Sequence, residues 1–273
     1  MKALKFTKMS GNGNDFIVID NYSGKIRLSE KQIQALCAAR FSVGADGLIM
    51  LEKSRPPYDF YMRFYNNDGR EAEMCGNGGR CIARFAYVKG YASAKMRFLA
   101  KDGPHEAQIL PSGTVNLKMI DPAGIRTGVV VPVRGKKYTG TFLNTGVPHF
   151  VVSVKDVGQV DVEALGRAIR YHRKFAPKGT NVNFISKKNG MIHIRTYERG
   201  VESETYACGT GATAAGIASY LAGSSKPPVR LMSKGGALRV SFTHGKCAFT
   251  DVWLQGNARI VYEGVVNKEA YKY

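Results

Sequence analysis

Two cysteines in this sequence are each followed by a Gly-x-Gly turn and a stretch that is predicted to be helical. Cys75 lies in EMCGNGGRCIARF (73–85), and Cys208 lies in YACGTGATAAG (206–216). A helix that begins directly after a cysteine presents unpaired backbone N–H groups and the positive end of its dipole. That environment binds a carboxylate, and it lowers the pKa of a thiol from its usual value of about 8.5 toward neutrality. The pattern therefore predicts two activated thiols.

Two such thiols acting on one substrate would suit the inversion of a carbon next to a carboxylate. Helix starts that hold the carboxylate stabilise the negative charge that develops when the adjacent proton leaves. One thiolate would remove that proton from one face, and the opposing thiol would deliver a proton to the other face. The two segments thus favour a racemase or epimerase that uses neither a metal nor a pyridoxal ring.

The spacing around the two cysteines indicates an internal repeat. A tyrosine lies twelve residues after each cysteine, at Tyr87 and Tyr220, and a glycine lies fifteen residues after each, at Gly90 and Gly223. Self-similarity at fixed offsets is typical of duplicated units. Two copies that face each other would bring both cysteines to one cleft.

A second similarity pairs NDFIV (14–18) with VNFIS (182–186). Each is a predicted strand that follows a polar loop. The pair therefore suggests that the two halves are copies of one unit.

The remaining pattern predicts mainly strands with a few helices. DFYMRFYNNDG (59–69) alternates so that Phe60, Met62 and Phe64 share one face of a half-buried strand. KQIQALCAA (31–39) has helical spacing. GATAAGIASYLAG (211–223) contains glycines that would each cost roughly 0.5–1 kcal/mol in an exposed helix. That helix is therefore expected to be central and wrapped by a sheet.

Length and composition predict a folded protein of two domains. The chain has 273 residues, of which 44% are hydrophobic and 22% charged. No apolar stretch reaches the roughly 18 residues of a membrane span, and the N-terminus lacks the apolar core of a signal peptide. We therefore expect a cytoplasmic protein that does not associate with membranes.

The five cysteines would be thiols in that compartment. Cys37, Cys81 and Cys247 are expected to be small buried hydrophobic residues. The spacing of cysteine and histidine matches no zinc site.

The net charge of +19 raises the alternative of a nucleic-acid-binding protein. Its 40 Lys and Arg residues are scattered along the chain, with only small clusters such as RYHRKFAPK (170–178). Charge alone thus gives a weak signal, and a basic surface without a nucleic-acid partner is the preferred interpretation.

Four longer segments resemble the diaminopimelate epimerase family. They are MSGNGNDF, NNDGREAEMCGNGGRC, TGVPHF and YERGVESETYACGTGA, which lie between Met9 and about Gly216. The resemblance implies an α+β fold of two pseudo-symmetric domains, each a curled mixed sheet or barrel around a central helix. It implies domains at 1–120 plus about 262–273, with Cys75, and at 121–261, with Cys208.

The same resemblance implies an activity. The expected reaction is stereoinversion of LL-2,6-diaminopimelate to the meso isomer, on the path to lysine and peptidoglycan, by a two-base thiol mechanism. It implies catalysis without a cofactor or a metal. The expected partner is a small-molecule substrate, an amino acid. A homodimer is left open.

Individual residues match the family's functional positions. Cys75 and Cys208 match its two acid/base thiols. Gly76, Asn77, Gly209 and Thr210 match the helix-start residues that hold the reacting carboxylate. The side chains that match positions gripping the substrate are Asn14, Asn66, Asn183, Glu198 and Arg199.

Two of these matches leave alternatives open. Glu198 and Arg199 alone would more often form a surface ion pair than a site. His149, in the Pro-His segment, either helps to set thiol protonation or is a structural histidine with satisfied hydrogen bonds.

One position departs from the family's pattern. Many members have Asn-Pro-His where this chain has Val147-Pro148-His149. A hydrogen-bonding group toward the distal end of the substrate is thereby lost, unless a neighbour such as Asn144 or Thr145 replaces it. A racemase or epimerase for another amino acid is therefore the alternative function.

Overall fold

The structure is a computed structural model that describes residues 4–246 and 248–272 of the chain. The chain divides into unit 1, Met1–Leu117 with Gly256–Tyr273, and unit 2, Lys118–Gln255. The domain limits implied by the resemblance, after residues 120 and 261, stay predictions beside this division.

The helices and strands are named in chain order. Unit 1 begins with β1 (Leu4–Gly11), β2 (Asn14–Asn21), α1 (Glu30–Cys37), β3 (Gly47–Glu52), β4 (Phe60–Asn66), β5 (Glu71–Ala72), α2 (Gly76–Val88), β6 (Lys95–Ala100), β7 (Gly103–Ile109) and β8 (Val115–Lys118). Unit 2 contains β9 (Ala123–Val133), β10 (Lys136–Asn144), β11 (Pro148–Ser153), α3 (Val162–Arg170), β12 (Asn181–Lys188), β13 (Met191–Glu198), β14 (Ser203–Thr205), α4 (Gly209–Leu221), β15 (Val229–Ser233), β16 (Gly236–His244) and β17 (Phe249–Gly256). The last strand, β18 (Arg259–Val266), belongs to unit 1 again.

The two units repeat one order of elements. In unit 1, β1 pairs antiparallel with β2, α1 connects β2 to its parallel partner β3, and β3 pairs antiparallel with β4. In unit 2, β10 and β11, α3, β12 and β13 follow the same scheme. A second helix, α2 or α4, then leads to a parallel strand, β6 beside β4 and β15 beside β13. The predicted α+β fold of two similar halves is confirmed.

In each unit, the helix that begins directly after Cys75 or Cys208 packs against strands of the sheet. Helix α2 packs against β1, β2, β3, β4 and β7, and α4 packs against β10, β11, β12, β13, β15 and β16. Almost all of α4 from Gly209 to Ser219 is buried. A Cβ at Gly216 would lie 3.1 Å from Cβ of Val240, so the sheet leaves no room for a larger side chain there. The prediction that small residues mark a central helix is confirmed.

The repeated glycines terminate the two 13-residue helices. Gly90 has φ 77° and Gly223 has φ 68°, a left-handed conformation that glycine adopts without a Cβ penalty. The next residue closes each helix end, because the N–H of Tyr91 donates to Ala86 O and that of Ser224 to Ser219 O, both at 2.9 Å. The offset of fifteen residues therefore reflects equal helix lengths.

The two similar segments NDFIV and VNFIS lie at different places in the two units. NDFIV belongs to β2 and VNFIS to β12. By topology the counterpart of β2 is β11, which precedes α3, and the counterpart of β12 is β3. The two segments look alike because both are buried strands with apolar residues after an Asn.

The predicted strand within 59–69 and the predicted helix within 31–39 are both present, but the helix ends earlier than predicted. In β4, Phe60, Met62 and Phe64 are buried, while the residues between them are partly exposed, as the alternation predicts. Helix α1 ends at Cys37, because Ala38 is extended with ψ 110°. The carbonyls of Leu36 and Cys37 instead accept hydrogen bonds from the N–H groups of Gly44 and Ala45, respectively.

Two of the three other cysteines are buried in the core as expected. Cys37 is 5% exposed and Cys81 is 0% exposed. Cys247 lies outside the described residues. Among the helices of residues 4–246 and 248–272, none is both long and apolar enough to cross a membrane.

Candidate active site

Cys75 occupies the N-cap position of α2, immediately before the first helical residue, Gly76. Its backbone is extended, with φ −88° and ψ 129°, and its carbonyl accepts the N–H of Gly79 at 2.7 Å. A Cβ at Gly78 would lie 3.2 Å from Ile49 and one at Gly79 would lie 2.8 Å from Sδ of Met74. The glycines therefore let the helix start approach the sheet closely.

Asn14 and Asn77 form a polar network with the Cys75 thiol. The thiol donates to Asn14 Oδ1 at 3.6 Å, and Asn77 Nδ2 donates to the same oxygen at 3.3 Å. Arg80 Nη2 donates to Asn77 Oδ1 at 2.8 Å and to Asn12 Oδ1 at 2.9 Å. The predicted site residues Cys75, Asn14 and Asn77 thus lie together in unit 1.

Arg80 is a member of this network that sequence reasoning missed. Its side chain is 0% exposed, and burial lowers the pKa of its guanidinium. It also donates to the carbonyls of Gly76 and Asn257. The available signal was an arginine within the small-residue run CGNGGRC, where a charged side chain must find internal partners.

Asp46 is a second residue that the sequence did not reveal. Its Oδ2 accepts Asn14 Nδ2 at 2.5 Å and the N–H of Asp15 at 3.0 Å. Burial raises the pKa of the Asp46 carboxyl. Beside it, Asp15 pairs with Lys8 Nζ at 2.6 Å.

Asn66 lies at the exposed end of β4, and its backbone closes the following turn by accepting the N–H of Gly69 at 2.9 Å. Its register partner on β3 is Gly47, the residue after Asp46. Asn66 is thereby placed on the strand edge next to the Asn14–Asp46 contact.

Cys208 occupies the same N-cap position at α4. Its carbonyl accepts the N–H of Ala212 at 2.8 Å, and its Sγ accepts the N–H of Gly211 at 3.4 Å. Thr210 Oγ1 lies 3.4 Å from the sulfur, and the Thr210 carbonyl is held by Thr145 Oγ1 at 3.0 Å. Cys208 is 8% exposed.

Asn183 lies next to the first turn of α4, and it contacts His149. Asn183 Nδ2 is 3.0 Å from His149 Nδ1, and Asn183 Oδ1 accepts the hydroxyl of Thr196 at 2.9 Å. A Cβ at Gly211 would lie only 2.5 Å from Asn183 Oδ1. Glycine at position 211 therefore allows Asn183 to approach the first turn of α4.

His149 is fully buried and neutral. Burial, with a smaller contribution from the charge of Arg199, lowers its pKa to about 3. Its Nδ1 faces the Asn183 amide NH₂, so the ring proton is assigned to Nε2. Within the described part of the chain, Nε2 has no hydrogen-bond partner. A structural role for His149 and a role in setting thiol protonation both stay predictions.

Glu198 and Arg199, at the end of β13, have separate partners. Glu198 accepts the hydroxyl of Thr205 at 3.0 Å, and burial raises the pKa of its carboxyl. The Arg199 guanidinium donates to the carbonyl of Lys178 at 3.2 Å, and its backbone N–H donates to Asn181 Oδ1 at 2.8 Å. The surface ion pair considered above does not describe these contacts.

Asn144 and Thr145, the two neighbours considered as replacements at Val147, each make one local hydrogen bond. Asn144 Oδ1 accepts the N–H of Gly146 at 2.9 Å, and Thr145 donates its hydroxyl to Thr210. Compensation for Val147 by one of these two residues stays a prediction.

Comparison with known proteins places this chain in a family. Residues 6–124 and 141–261 match the family model described as diaminopimelate epimerase. The chain belongs to the diaminopimelate epimerase family.

Two relatives in this family span nearly the whole chain. The diaminopimelate epimerase of Aquifex aeolicus (strain VF5) is 43% identical over 282 residues, covering 99% of this chain and 100% of that protein. That of Hydrogenobaculum sp. (strain Y04AAS1) is 44% identical over 279 residues, covering 97% and 99%. As a member of this family the protein is an isomerase, and the predicted family and enzyme class are confirmed.

Solved structures of more distant proteins share the fold. A Bacillus anthracis phenazine biosynthesis protein of the PhzF family has a TM-score of 0.75 at 15% identity and covers 98% of this chain and 100% of that chain. A probable proline racemase from Agrobacterium radiobacter K84 has a TM-score of 0.69 at 13% identity, covering 97% and 93%. These structural similarities show the fold alone, and the roles of individual residues stay predictions.

Proposed function

We propose that this protein converts LL-2,6-diaminopimelate to meso-diaminopimelate by exchanging the α-proton between Cys75 and Cys208. The observation that carries the proposal is the repeated helix start, a cysteine at the N-cap of a buried 13-residue helix in both units. Family membership supports the same activity.

The helix starts bind the reacting carboxylate in this mechanism. Backbone N–H groups in the first turns of α2 and α4, at Gly76 and Asn77 and at Gly209 and Thr210, face developing negative charge with the positive ends of the helix dipoles. One cysteine, as thiolate, takes the α-proton, and the other, as thiol, gives its proton to the opposite face. The two sulfurs exchange charge states in each turnover.

Side chains at the end of β13 select the distal amino-acid end of diaminopimelate. Arg199 pairs with its carboxylate through a planar fork of donors, and Glu198 pairs with its ammonium. Asn14, Asn66 and Asn183 supply amide groups to the same substrate. Burial of Glu198 supports this role, because an arriving ammonium would offset the desolvation of its carboxylate.

The product belongs to the route to lysine and peptidoglycan precursors. The protein works in the cytoplasm, where the two thiols stay reduced. Its chemistry depends on no bound cofactor.

Racemisation of another amino acid is the second candidate, and Val147 is the observation that favours it. An apolar side chain at this position removes a hydrogen-bonding group from the proposed distal pocket. A site that holds fewer polar substrate groups discriminates less strongly between substrates.

Proton NMR of LL-diaminopimelate in D₂O tests the proposal. The reduced protein, with no added cofactor, is compared with Cys75→Ala and Cys208→Ala. We expect loss of the α-proton signal and formation of the meso isomer with the unsubstituted protein and neither change with the two variants.

The outcomes separate the candidates. Absence of exchange on diaminopimelate, with exchange on another amino acid that both variants abolish, would favour the second candidate. Formation of the meso isomer by either alanine variant would contradict the two-thiol mechanism, because inversion needs a proton donor on the opposite face.

A further inference from the structure

In unit 1, a salt bridge holds the chain shortly before it reaches Cys75. Glu71 lies four residues before this cysteine, on the short strand β5. Its Oε2 accepts Arg63 Nη1 of the neighbouring strand β4 at 3.0 Å. The two strands share only two register pairs, and so short a ladder is marginally stable on its own. The salt bridge therefore adds a side-chain anchor where the backbone pairing is weak.

The equivalent salt bridge in unit 2 consists of two hydrogen bonds. Arg195 of β13 donates from Nε to Glu204 Oε1 at 2.6 Å and from Nη2 to Oε2 at 2.7 Å. Glu204 lies on β14, four residues before Cys208, and its side chain is 10% exposed. Burial would raise the pKa of the Glu204 carboxyl, but hydrogen bonds from Arg195 and Lys234 lower it. Glu204 is therefore a carboxylate at neutral pH.

A lysine joins each salt bridge from an equivalent turn. Lys101 is the first residue after β6, and its Nζ donates to the carbonyl of Glu71 at 2.9 Å. Lys234 is the first residue after β15, and its Nζ lies 2.6 Å from Glu204 Oε2. Strands β6 and β15 occupy the same place in the two units, beside β4 and β13. An arginine, a glutamate and a lysine thus recur at the same point of the repeat.

The segment that each glutamate anchors determines how the chain enters the helix that follows. Both cysteines are N-cap residues with extended backbones. From such a backbone an N-cap side chain can reach the N–H groups of the first helical turn. A shift of about 1 Å in a reacting group can lower a rate by about 10²-fold. A fixed point four residues upstream limits such shifts of the sulfur.

We propose that Glu71 and Glu204 are positioning residues, each anchored by its arginine so that the strand before the helix holds the cysteine at the N-cap. The pair in unit 1 positions Cys75, and the pair in unit 2 positions Cys208. Their effect on turnover rests on the proposed function, because the sulfur positions affect the rate only if the thiols transfer the proton.

The pH dependence of iodoacetamide alkylation reports the surroundings of each sulfur in the reduced, substrate-free protein. A thiol at a helix start has a lowered pKa, and a thiol that leaves this position moves toward the free value of about 8.5. Glu204→Gln and Arg195→Met are compared, with peptide mass analysis following each cysteine. Both variants should raise the Cys208 midpoint by about one pH unit, a tenfold fall in thiolate near neutral pH, and leave the Cys75 midpoint unchanged.

The two substitutions separate position from charge. By charge alone, loss of the Glu204 carboxylate would lower the pKa of a nearby thiol, and loss of the Arg195 guanidinium would raise it. A loss of position raises the midpoint in both variants. Opposite shifts, or no shift in either variant, would overturn the proposal.

Glu71→Gln repeats the test in unit 1, where the chain offers a matched control. Arg63 Nε also lies 3.1 Å from Glu52 Oε2, so Glu52→Gln removes a carboxylate from the same arginine but leaves β5 anchored. Glu71→Gln should raise the Cys75 midpoint, and Glu52→Gln should not. The buried charge of Arg80, which interacts with Cys75, is the same in both variants. Equal shifts in the two variants would contradict the positioning role.

The unit 1 comparison also serves if the unit 2 variants do not fold. The side chains of Arg63 and Glu71 are 33% and 29% exposed, against 19% and 10% for Arg195 and Glu204, so their loss should disturb the core less. The Cys75 midpoints of Glu71→Gln and Glu52→Gln then decide the proposal.

Steady-state kinetics distinguish positioning from a general loss of stability. Glu71→Gln and Glu204→Gln should each lower kcat for diaminopimelate about tenfold and change KM less than about twofold, because the helix-start N–H groups stay in place. A raised KM with unchanged kcat would contradict positioning of the thiols. The alkylation midpoints require no turnover, so they test the anchoring even if the NMR experiment contradicts the proposed function.

Discussion

Gly211 is the residue at which the first turn of α4, Cys208 and Asn183 meet. A Cβ there would lie 2.5 Å from Asn183 Oδ1 and 3.2 Å from Cys208 Sγ. We expect Gly211→Ala to destabilise the fold by about 1–3 kcal/mol through overpacking and disturbed hydrogen bonds of Asn183. Urea unfolding measures this, with Gly245→Ala as the control because its added Cβ would meet only Ala248 O at 3.8 Å. Equal stability of the two variants would contradict the close approach.

His149 should make the stability of the protein depend on pH. Its folded-state pKa is lowered to about 3, below the unfolded value of about 6.5, so the unfolded chain binds the extra proton between these values. Its contribution is fully present above about pH 6.5 and falls as pH decreases toward 3, by up to roughly 1.4 kcal/mol per pH unit.

Urea unfolding at several pH values from 7 to 4 measures this dependence. We expect His149→Gln to reduce the slope of unfolding free energy against pH, because glutamine does not titrate. His193→Gln, at a half-buried position on β13, is the control for the histidine-to-glutamine change itself. The same slope in all three proteins would mean that His149 does not remain neutral in the folded state.

At the scale of elements, the two central helices end in the same way, and their terminal glycines should be equally sensitive. Gly90 and Gly223 have positive φ, and an added Cβ would meet nothing within 4 Å at either position. Alanine at either site should therefore cost about 1 kcal/mol from backbone conformation alone. Thermal or urea unfolding of Gly90→Ala and Gly223→Ala measures the cost.

Asparagine variants at the same two positions are the controls. Asn tolerates the left-handed conformation better than Ala does, so Gly90→Asn and Gly223→Asn should recover part of the lost stability. Alanine variants as stable as the original protein would contradict the conformational explanation.

Sequence patterns predicted these elements because the relevant signals are local. The Gly-x-Gly turn, the small-residue helix and the terminal glycine are read within fifteen residues of each cysteine. Asp46 was not predicted, because its importance depends on Asn14, which lies on another element, β2. Arg80 was not predicted, because it joins Asn77 on its own helix to Asn12, which precedes β2. The likeness of NDFIV and VNFIS is also local, because buried strands share composition and only the topology distinguishes β2 from β12.

At the scale of the whole molecule, the net positive charge differs between the two units, because their acidic residues differ in number. Unit 1 has 20 Lys and Arg against 13 Asp and Glu, and unit 2 has 20 against 8. Charges that are scattered over a surface attract nucleic acid through their total electrostatic field. At 0.15 M, salt screens this field over a distance of about 8 Å. We therefore expect retention on immobilised duplex DNA at about 50 mM salt and release by about 0.15 M.

Charge reversals in each unit distinguish a total field from a binding surface. Lys226→Glu with Arg230→Glu in unit 2 should weaken low-salt retention as much as Lys25→Glu with Lys53→Glu in unit 1, because all four side chains are exposed. Release at equal salt by both double variants would support a generally basic surface. Retention that persists above about 0.2 M and is lost only with the unit 2 pair would instead identify a nucleic-acid surface there, and would favour the alternative that charge first raised.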